Sequence, residues 1–139
     1  KRPDVIIFEG WCVGVTAQKN KDLLVPVNTL EKEKDKNMIW RKRVNKELKN
    51  KYKDIFRSID KIIFLKVPGF KYVYKWRLLQ EQKLIASSRG KSIMKPSQVK
   101  SFIMFYERLT KHMLKSLSKK AEFVIKIDKK HRLKSMKTN

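Results

Sequence analysis

The residue that first indicates chemistry is Glu9, a carboxylate that ends an apolar run and precedes Gly10. The run, residues 5–8, is composed like a strand buried on both faces of a parallel sheet. In open α/β sheets the functional crevice lies beyond the carboxyl ends of such strands, and Gly10 allows a sharp turn there. A carboxylate at that place can hold Mg²⁺, directly or through water, or orient a nucleophile in phosphoryl transfer. In the structural alternative, Glu9 only caps a neighbouring helix.

Arg77 lies in a helical segment that leads to a polar, glycine-containing break at residues 87–92. As a functional group it would clamp transferring phosphates, because a guanidinium is a permanent bidentate cation. The break would then be a mobile lid that carries cations over a phosphate site. In the structural alternative Arg77 pairs with Glu81, four residues on and on the same helical face, and the break is an exposed connection.

Tyr106, Arg108 and Thr110 lie within little more than one helical turn. They could bind a small hydroxy acid, with Arg108 on its carboxylate and Tyr106 or Thr110 on its hydroxyl groups. From spacing alone we favour the structural interpretation, in which Tyr106 is a core residue and Arg108 a surface ion-pair partner.

The end of the last predicted strand brings Asp128, His131 and Arg132 to the same crevice edge. The two histidines, His112 and His131, have no metal-ligand spacing with Cys12 or with each other, so we do not expect a zinc site. Cys12 has no evident general base beside it in the sequence, so covalent thiol catalysis is not expected either.

The elements that must position these groups are short apolar runs separated by long helical patterns. Strand-like runs occupy residues 5–8, 62–67 and 123–127, and helical spacing of apolar residues marks 40–59, 70–85 and 99–117. This alternation predicts one α/β domain with a mostly parallel sheet and helices packed on its faces. Three strands make a small parallel sheet, so we expect further strands to precede residue 1.

The composition limits the class of protein. The 139 residues are 41% hydrophobic, and no apolar run approaches the roughly 18 to 20 residues that span a membrane. A single cysteine suits a reducing, cytoplasmic compartment. The net charge of +23 indicates either a polyanion partner or solvated lysine-rich faces. Lysine outnumbers arginine and acidic residues are interleaved at 31–36, so we do not expect nucleic acid to be the main partner.

Several segments, taken in order, resemble the C-terminal half of a D-glycerate 3-kinase-like P-loop kinase, a relative of uridine kinase, phosphoribulokinase and pantothenate kinase. The matching segments are Phe8-Glu9-Gly10-Trp11-Cys12-Val13-Gly14, Pro26-Val27-Asn28 with Leu30-Glu31, Trp40-Arg41 with Val44-Asn45, Pro68-Gly69-Phe70, Trp76-Arg77 with Gln80-Glu81, Tyr106-Glu107-Arg108-Leu109-Thr110, and Asp128 with His131-Arg132. The resemblance covers nearly the whole chain.

The resemblance implies a three-layer, P-loop kinase-like parallel sheet with flanking helices, of which the N-terminal part is missing. Residues 1–139 would then be the C-terminal portion of a single domain, with its lid at about residues 77–96. The implied activity is ATP-dependent phosphorylation of the 3-hydroxyl of D-glycerate, with Mg²⁺. The implied partners are ATP and a glycerate-like hydroxy acid, with no membrane, and the oligomeric state stays open.

The resemblance also implies roles for individual residues. Glu9 would be the acidic residue near metal and acceptor, and Arg77 a lid cation that faces the phosphates. The remaining implied contacts are Trp11, Tyr106, Arg108 and Thr110 around the acceptor, and His131 and Arg132 near the nucleotide base.

The chain departs from the family pattern in one decisive respect. It contains no Gly-x-x-x-x-Gly-Lys-[Ser/Thr] motif, whose backbone amides and lysine hold the phosphates. Lys95 and Pro96 also follow Met94, where the family has a small or hydroxyl residue. These 139 residues alone are therefore expected to bind ATP poorly and to catalyse little. The alternatives are a kinase for a nucleoside or another small alcohol, and a non-catalytic basic module that binds nucleic acid.

Overall fold

A computed structural model gives the structure of the chain and describes residues 1–87 and 93–139. Within these residues, helices flank a small sheet. The helices are α1 (Asn20–Leu24), α2 (Thr29–Lys34), α3 (Ile39–Lys49), α4 (Lys51–Arg57), α5 (Phe70–Ser87) and α6 (Pro96–Ser116), followed by a 3₁₀ turn at Leu117–Lys119. The strands are β1 (Ile63–Lys66), β2 (Phe123–Ile127) and β3 (Leu133–Thr138).

The sheet has the order β1-β2-β3 and is mixed rather than parallel throughout. β1 and β2 run parallel, with Ile63 opposite Phe123, as the sequence predicts for strands joined through helices. β3, which the sequence did not predict as a strand, runs antiparallel to β2 because the chain reverses through a short turn at residues 128–132. The expected α/β class with flanking helices is confirmed, and the third strand corrects the expected parallel sheet.

The strand predicted at residues 5–8 is wrong. The segment has no strand hydrogen bonding, and its side chains are exposed, from 58% at Phe8 to 88% at Ile7. A strand needs a neighbour for its backbone N–H and C=O groups. Within the described residues no strand pairs with this segment, and β1 pairs only with β2, so one edge of the sheet is free.

The predicted helices are largely confirmed, with one break. The pattern over residues 40–59 forms two helices, because Asn50 between them has a non-helical backbone (φ −105°, ψ −93°). The pattern over 99–117 forms α6, which starts at Pro96 as the fixed φ of proline favours. The apolar face of α6 is buried through Val99, Ile103 and Met113.

The core lies where α6, α3 and the sheet meet, around Val15, Leu48, Met113 and Leu117. The turn at residues 11–14 is held against this core. Its last residue, Gly14, has φ 76°, and a Cβ there would lie 2.9 Å from the Ile62 side chain. The left-handed φ favours glycine at this position, at the end of the turn that begins with Trp11.

Candidate active site

Trp11 contacts two of the other predicted acceptor-binding residues, Tyr106 and Thr110. Its indole Nε1 donates a hydrogen bond to Thr110 Oγ1 at 2.9 Å. Its ring meets that of Tyr106 edge to face, with centroids 4.7 Å apart. Tyr106 and Thr110 are four residues apart on α6 and share a face of the helix, so both can contact one side chain. Residues separated by about 95 positions in the sequence therefore form one cluster, the Trp11 cluster.

Arg77 joins this cluster through an aromatic contact. The Tyr106 ring lies 5.0 Å from the Phe102 ring, and the Arg77 guanidinium carbon lies 5.7 Å from the Phe102 centroid. That distance is within the range of a cation–π interaction. The cluster thus extends from Trp11 along α6 to α5, with aromatic rings and hydroxyl groups at one end and a guanidinium at the other.

Arg77 also forms an ion pair with Glu81, the structural alternative to phosphate binding that the sequence offered. Its guanidinium contacts Glu81 Oε1 at 2.5 Å and donates to Gln80 Oε1 at 3.0 Å. Glu81 in turn accepts from the backbone N–H of Met94 at 3.0 Å, which ties α5 to the start of the segment before α6. The expected lid, at about residues 77–96, includes 88–92, which lie outside the described residues.

Arg108 lies in a buried ion pair rather than at the surface. Its Nε and Nη2 donate to the two oxygens of Glu31 at 2.7 and 2.6 Å, and further bonds reach the carbonyls of Asp22 and Val25 at 2.8 and 2.7 Å. These bonds occupy the donors that a substrate carboxylate would need. Sequence spacing could not find Glu31, which lies 77 residues away.

Glu31 is held ionised by this arrangement. Burial by itself raises the pKa of its carboxyl, but the hydrogen bonds from Arg108 and the Val27 N–H, together with the charges of Arg108 and Arg41, outweigh burial and lower that pKa. A second buried pair lies nearby, between Arg41 and Asp35 at 3.2 Å. The Arg108–Glu31 pair ties α2 to α6, and the Arg41–Asp35 pair ties the residue after α2 to α3.

Glu9 lies in an exposed, irregular segment two residues before Trp11. In the part of the chain that the structure describes, nothing pairs with its carboxylate, so it is free to bind a ligand. No group of three or more His, Cys, Asp or Glu side chains forms a metal cluster in that same part. A Mg²⁺ ion at Glu9 would therefore have one protein carboxylate, and phosphate oxygens and water would supply its other ligands.

His131 and Arg132 lie in the turn between β2 and β3. Asp128 Oδ1 accepts from the backbone N–H groups of Arg132 and Lys130, and Oδ2 from the Arg132 guanidinium. The backbone N–H of Arg132 is the main cause of the lowered pKa of Asp128. His131, with a left-handed φ of 63°, lies 3.9 Å from Trp76, measured between ring centroids.

The same turn borders an open, basic groove of about 800 Å³ at the carboxyl ends of β1 and β2. Its cations are Lys66, Lys126, Lys129, Lys130, Arg132 and Lys134. Among the described residues that line the groove, Asp128 is the only one with a carboxylate, and it is already bonded to Arg132. The Trp76 and His131 rings are tilted by 56° to each other. Helix α5 links them to the Trp11 cluster, because Trp76 and Arg77 are consecutive.

Comparison with solved structures identifies the fold. D-glycerate 3-kinase from Cryptococcus neoformans var. grubii serotype A superimposes with a TM-score of 0.73 over the whole chain, at 21% identity. The YGR205w protein gives a TM-score of 0.68 over 94% of the chain, at 26% identity. The fold is kinase-like. The chain spans 51% and 46% of the length of these two proteins.

A sequence relative points the same way. The kinase-like chain is 33% identical over 107 residues, 76% of its length, to the uncharacterized kinase mug58 of Schizosaccharomyces pombe. It spans 36% of that relative. No family model matches the chain. The resemblance to D-glycerate 3-kinase expected from the sequence is thus confirmed at the level of fold and of kinase-like relatives.

Among the described helices, none combines the length and the apolar composition that crossing a lipid bilayer requires.

Proposed function

We propose that this chain is part of an ATP-dependent kinase that phosphorylates D-glycerate at its 3-hydroxyl, with Mg²⁺. The observation that carries the proposal is the Trp11 cluster, in which the Thr110 hydroxyl group, the Tyr106 ring and the Arg77 guanidinium belong to one contiguous set of contacts. A hydroxy acid needs hydrogen-bonding hydroxyl groups, and a phosphate group needs a cation such as the guanidinium. The free Cys12 suits a cytoplasmic protein.

We further propose that residues 1–139 are the C-terminal portion of a single P-loop kinase-like domain, inactive alone, with its lid at about 77–96. The accessible surface of the chain supports this, since it is 10982 Å². A compact protein of 16.6 kDa exposes about 7,600 Å². The excess surface, together with a match to about half of each solved relative, fits a domain of which a large part is supplied from elsewhere.

In this proposal each side chain has a defined task. Glu9 holds Mg²⁺, directly or through water, and orients the acceptor hydroxyl, and Arg77 leaves Glu81 to face the transferring phosphates. Tyr106 and Thr110 bind the acceptor beside Trp11. Bound Mg²⁺ would supply positive charge against the phosphate oxygens.

Of the remaining three residues, His131 and Arg132 keep the role that the resemblance implies, and Arg108 takes another. His131 and Arg132 contact the nucleotide base from the turn at residues 128–132. Arg108 supports the site through its pair with Glu31 instead of binding the acceptor carboxylate.

The experiment measures binding of D-glycerate to the 139-residue chain by isothermal titration calorimetry. We expect saturable binding that Tyr106→Phe weakens about threefold to tenfold, since the variant keeps the ring contact and loses one hydrogen bond. Tyr52→Phe, on α4 and away from the Trp11 cluster, is the matched control and should bind as the parent does. Equal weakening by Tyr106→Phe and Tyr52→Phe overturns the assignment of Tyr106 to the acceptor site, and binding of uridine instead of D-glycerate identifies the alternative kinase acceptor.

The coding sequence before Lys1 gives an independent test. It is expected to encode a Gly-x-x-x-x-Gly-Lys-[Ser/Thr] motif, and a longer protein that includes it should transfer phosphate from ATP to D-glycerate. In that protein Glu9→Gln should lower kcat about 100-fold or more, whereas Asp4→Asn should not. Lack of the motif would overturn the kinase proposal for this chain.

The basic groove favours a second candidate, a non-catalytic module that binds nucleic acid. Among residues 1–87 and 93–139, six cations line one groove, and the carboxylate beside them, Asp128, is already bonded to Arg132. A salt titration of binding to mixed nucleic acids separates the candidates, because nonspecific contacts give Kd values of only about 10⁻⁴ to 10⁻⁶ M at physiological salt. Nanomolar binding under those conditions would favour the second candidate.

A further inference from the structure

Strand β1 has one unpaired edge. In the described residues its backbone bonds only to β2, and its side chains Ile63 and Leu65 are 63% and 59% exposed. An edge of this kind carries a row of unpaired N–H and C=O groups, which can bond a strand from another chain. Proteins commonly cover such an edge or break it with charges, so an open apolar edge points to a partner strand.

The apolar run at residues 5–8 has the complementary deficit. Its side chains are exposed, and within the described residues its backbone forms no strand hydrogen bonds. β-Branched and aromatic residues of this kind favour a paired, pleated strand. One copy of the chain therefore holds both an unpaired strand sequence and an unpaired strand edge.

The two segments match residue by residue. Residues 4–9 are Asp-Val-Ile-Ile-Phe-Glu, and residues 61–66 are Lys-Ile-Ile-Phe-Leu-Lys. Each segment has four apolar residues between two charged ones, and the charges of the two segments are opposite. Side by side in register, they bring opposite charges together at both ends, in either strand direction, and every apolar residue meets another. Cross-strand pairs of both kinds stabilise a sheet.

The charged ends are available for these contacts. Asp4 and Glu9 are exposed, and among residues 1–87 and 93–139 neither forms a salt bridge. Lys61 and Lys66 form none there either, although the charge of Lys61 acts on Glu122. The net charge of +23 makes two copies repel each other at a distance. Carboxylates placed opposite lysines reduce that repulsion at the contact itself.

We propose that two copies of the chain form a dimer, in which residues 4–9 of each copy add a strand to the free edge of β1 in the other. The pairing forms twice, because a twofold dimer repeats each contact reciprocally. In the parallel direction Asp4 lies beside the partner's Lys61, and in the antiparallel direction beside the partner's Lys66. The association goes beyond the proposed kinase reaction and does not depend on it.

Analytical ultracentrifugation of the 139-residue chain tests the pairing. We expect a monomer–dimer equilibrium with a Kd in the micromolar range. The double variant Ile6→Pro/Ile7→Pro should raise this Kd at least tenfold, because successive N–H groups point to opposite sides of a strand and one of the two must face β1. Both side chains are exposed, so the monomer should keep its circular dichroism spectrum. A monomeric parent chain, or an unchanged dimer in the proline variant, overturns the proposal.

Charge reversal tests the register. Asp4→Lys should raise the Kd about tenfold, because it places lysine against lysine twice in the dimer. Glu33→Lys, which adds the same charge at an exposed site on α2, is the matched control and should have a smaller effect. In the Asp4→Lys chain, a second change should restore the dimer: Lys61→Asp for parallel strands, or Lys66→Asp for antiparallel strands. Restoration by neither change, or an equal effect of Glu33→Lys, overturns the proposal.

Discussion

Arg108 and Arg43 both form ion pairs, but burial makes the contributions of the two pairs to stability differ. The side chains of Arg108 and Glu31 are 8% and 11% exposed, and their pair is bidentate. Arg43 is 70% exposed and reaches Glu47 one helical turn away. Removing one partner of a buried pair leaves the other charge buried, whereas an exposed pair is screened by water.

We therefore predict that Arg108→Ala lowers the free energy of unfolding by about 3 to 5 kcal/mol. Arg43→Ala, the matched control, should change it by less than about 1 kcal/mol. Urea unfolding followed by circular dichroism measures both. Equal small effects would show that the Arg108–Glu31 pair does not hold the framework of the site.

At the scale of the element, the start of α2 shows how one side chain joins a helix to the rest of the fold. Asn28 Oδ1 accepts from the backbone N–H of Glu31, which caps the helix. Its Nδ2 donates to the Met104 carbonyl and to Glu107 on α6. The cap therefore also positions Glu31 for its pair with Arg108.

We predict that Asn28→Ala lowers the free energy of unfolding by about 1 to 2 kcal/mol, since the cap bond and the bonds to α6 are lost together. Asn50→Ala is the control, because Asn50 precedes α4 without a capping side-chain bond. Urea unfolding gives both values. An effect at Asn50 as large as that at Asn28 would contradict the prediction.

The turn between β2 and β3 depends on an ionised Asp128. Its folded-state pKa is lowered by the N–H of Arg132 and the other donors around it. Because the pKa of Asp128 is lower in the folded state, its ionised carboxylate stabilises the fold above the ordinary carboxyl pKa of about 3.9. This stabilisation is lost as the pH falls through the folded-state pKa.

We predict that the backbone amide signals of Lys130 and Arg132 titrate in NMR spectra with a midpoint below the ordinary Asp range. Below that midpoint the turn loosens. Asp128→Asn keeps an acceptor but has no titrating group, so the transition should vanish. A midpoint in the ordinary range would show that the turn does not stabilise the carboxylate.

At the scale of the whole molecule, one face of the sheet carries exposed apolar side chains. Leu65, Ile125 and Met136 lie side by side across the three strands. Leu65 is 59% exposed, and Phe64 points to the opposite face and packs against the core. Exposed apolar patches of this kind drive association unless something covers them.

We predict that the 139-residue chain self-associates in solution and that Leu65→Lys raises the concentration at which it does so by about tenfold, because the charge must be desolvated on association. Ile55→Lys, which adds the same charge at an exposed site on α4, is the control. Analytical ultracentrifugation measures the association. An equal effect of both variants would assign the change to net charge alone.

The sequence by itself determined the features that depend on local spacing. It predicted α6 with its proline start, strands at 62–67 and 123–127, of which the first forms over Ile63–Lys66, and the resemblance to a kinase that the comparisons bear out at the level of fold. It also predicted the Arg77–Glu81 pair as an alternative, since four residues is one helical turn.

Tertiary structure alone decided which distant residues meet. Trp11 on Thr110, Glu31 on Arg108 and Trp76 on His131 are contacts across 99, 77 and 55 residues, and no periodicity encodes them. The apolar run at residues 5–8 also shows that local sequence does not decide which backbone groups pair. Its composition is that of a buried strand, but a strand forms only when a neighbour bonds its backbone, and in the described structure that neighbour is absent.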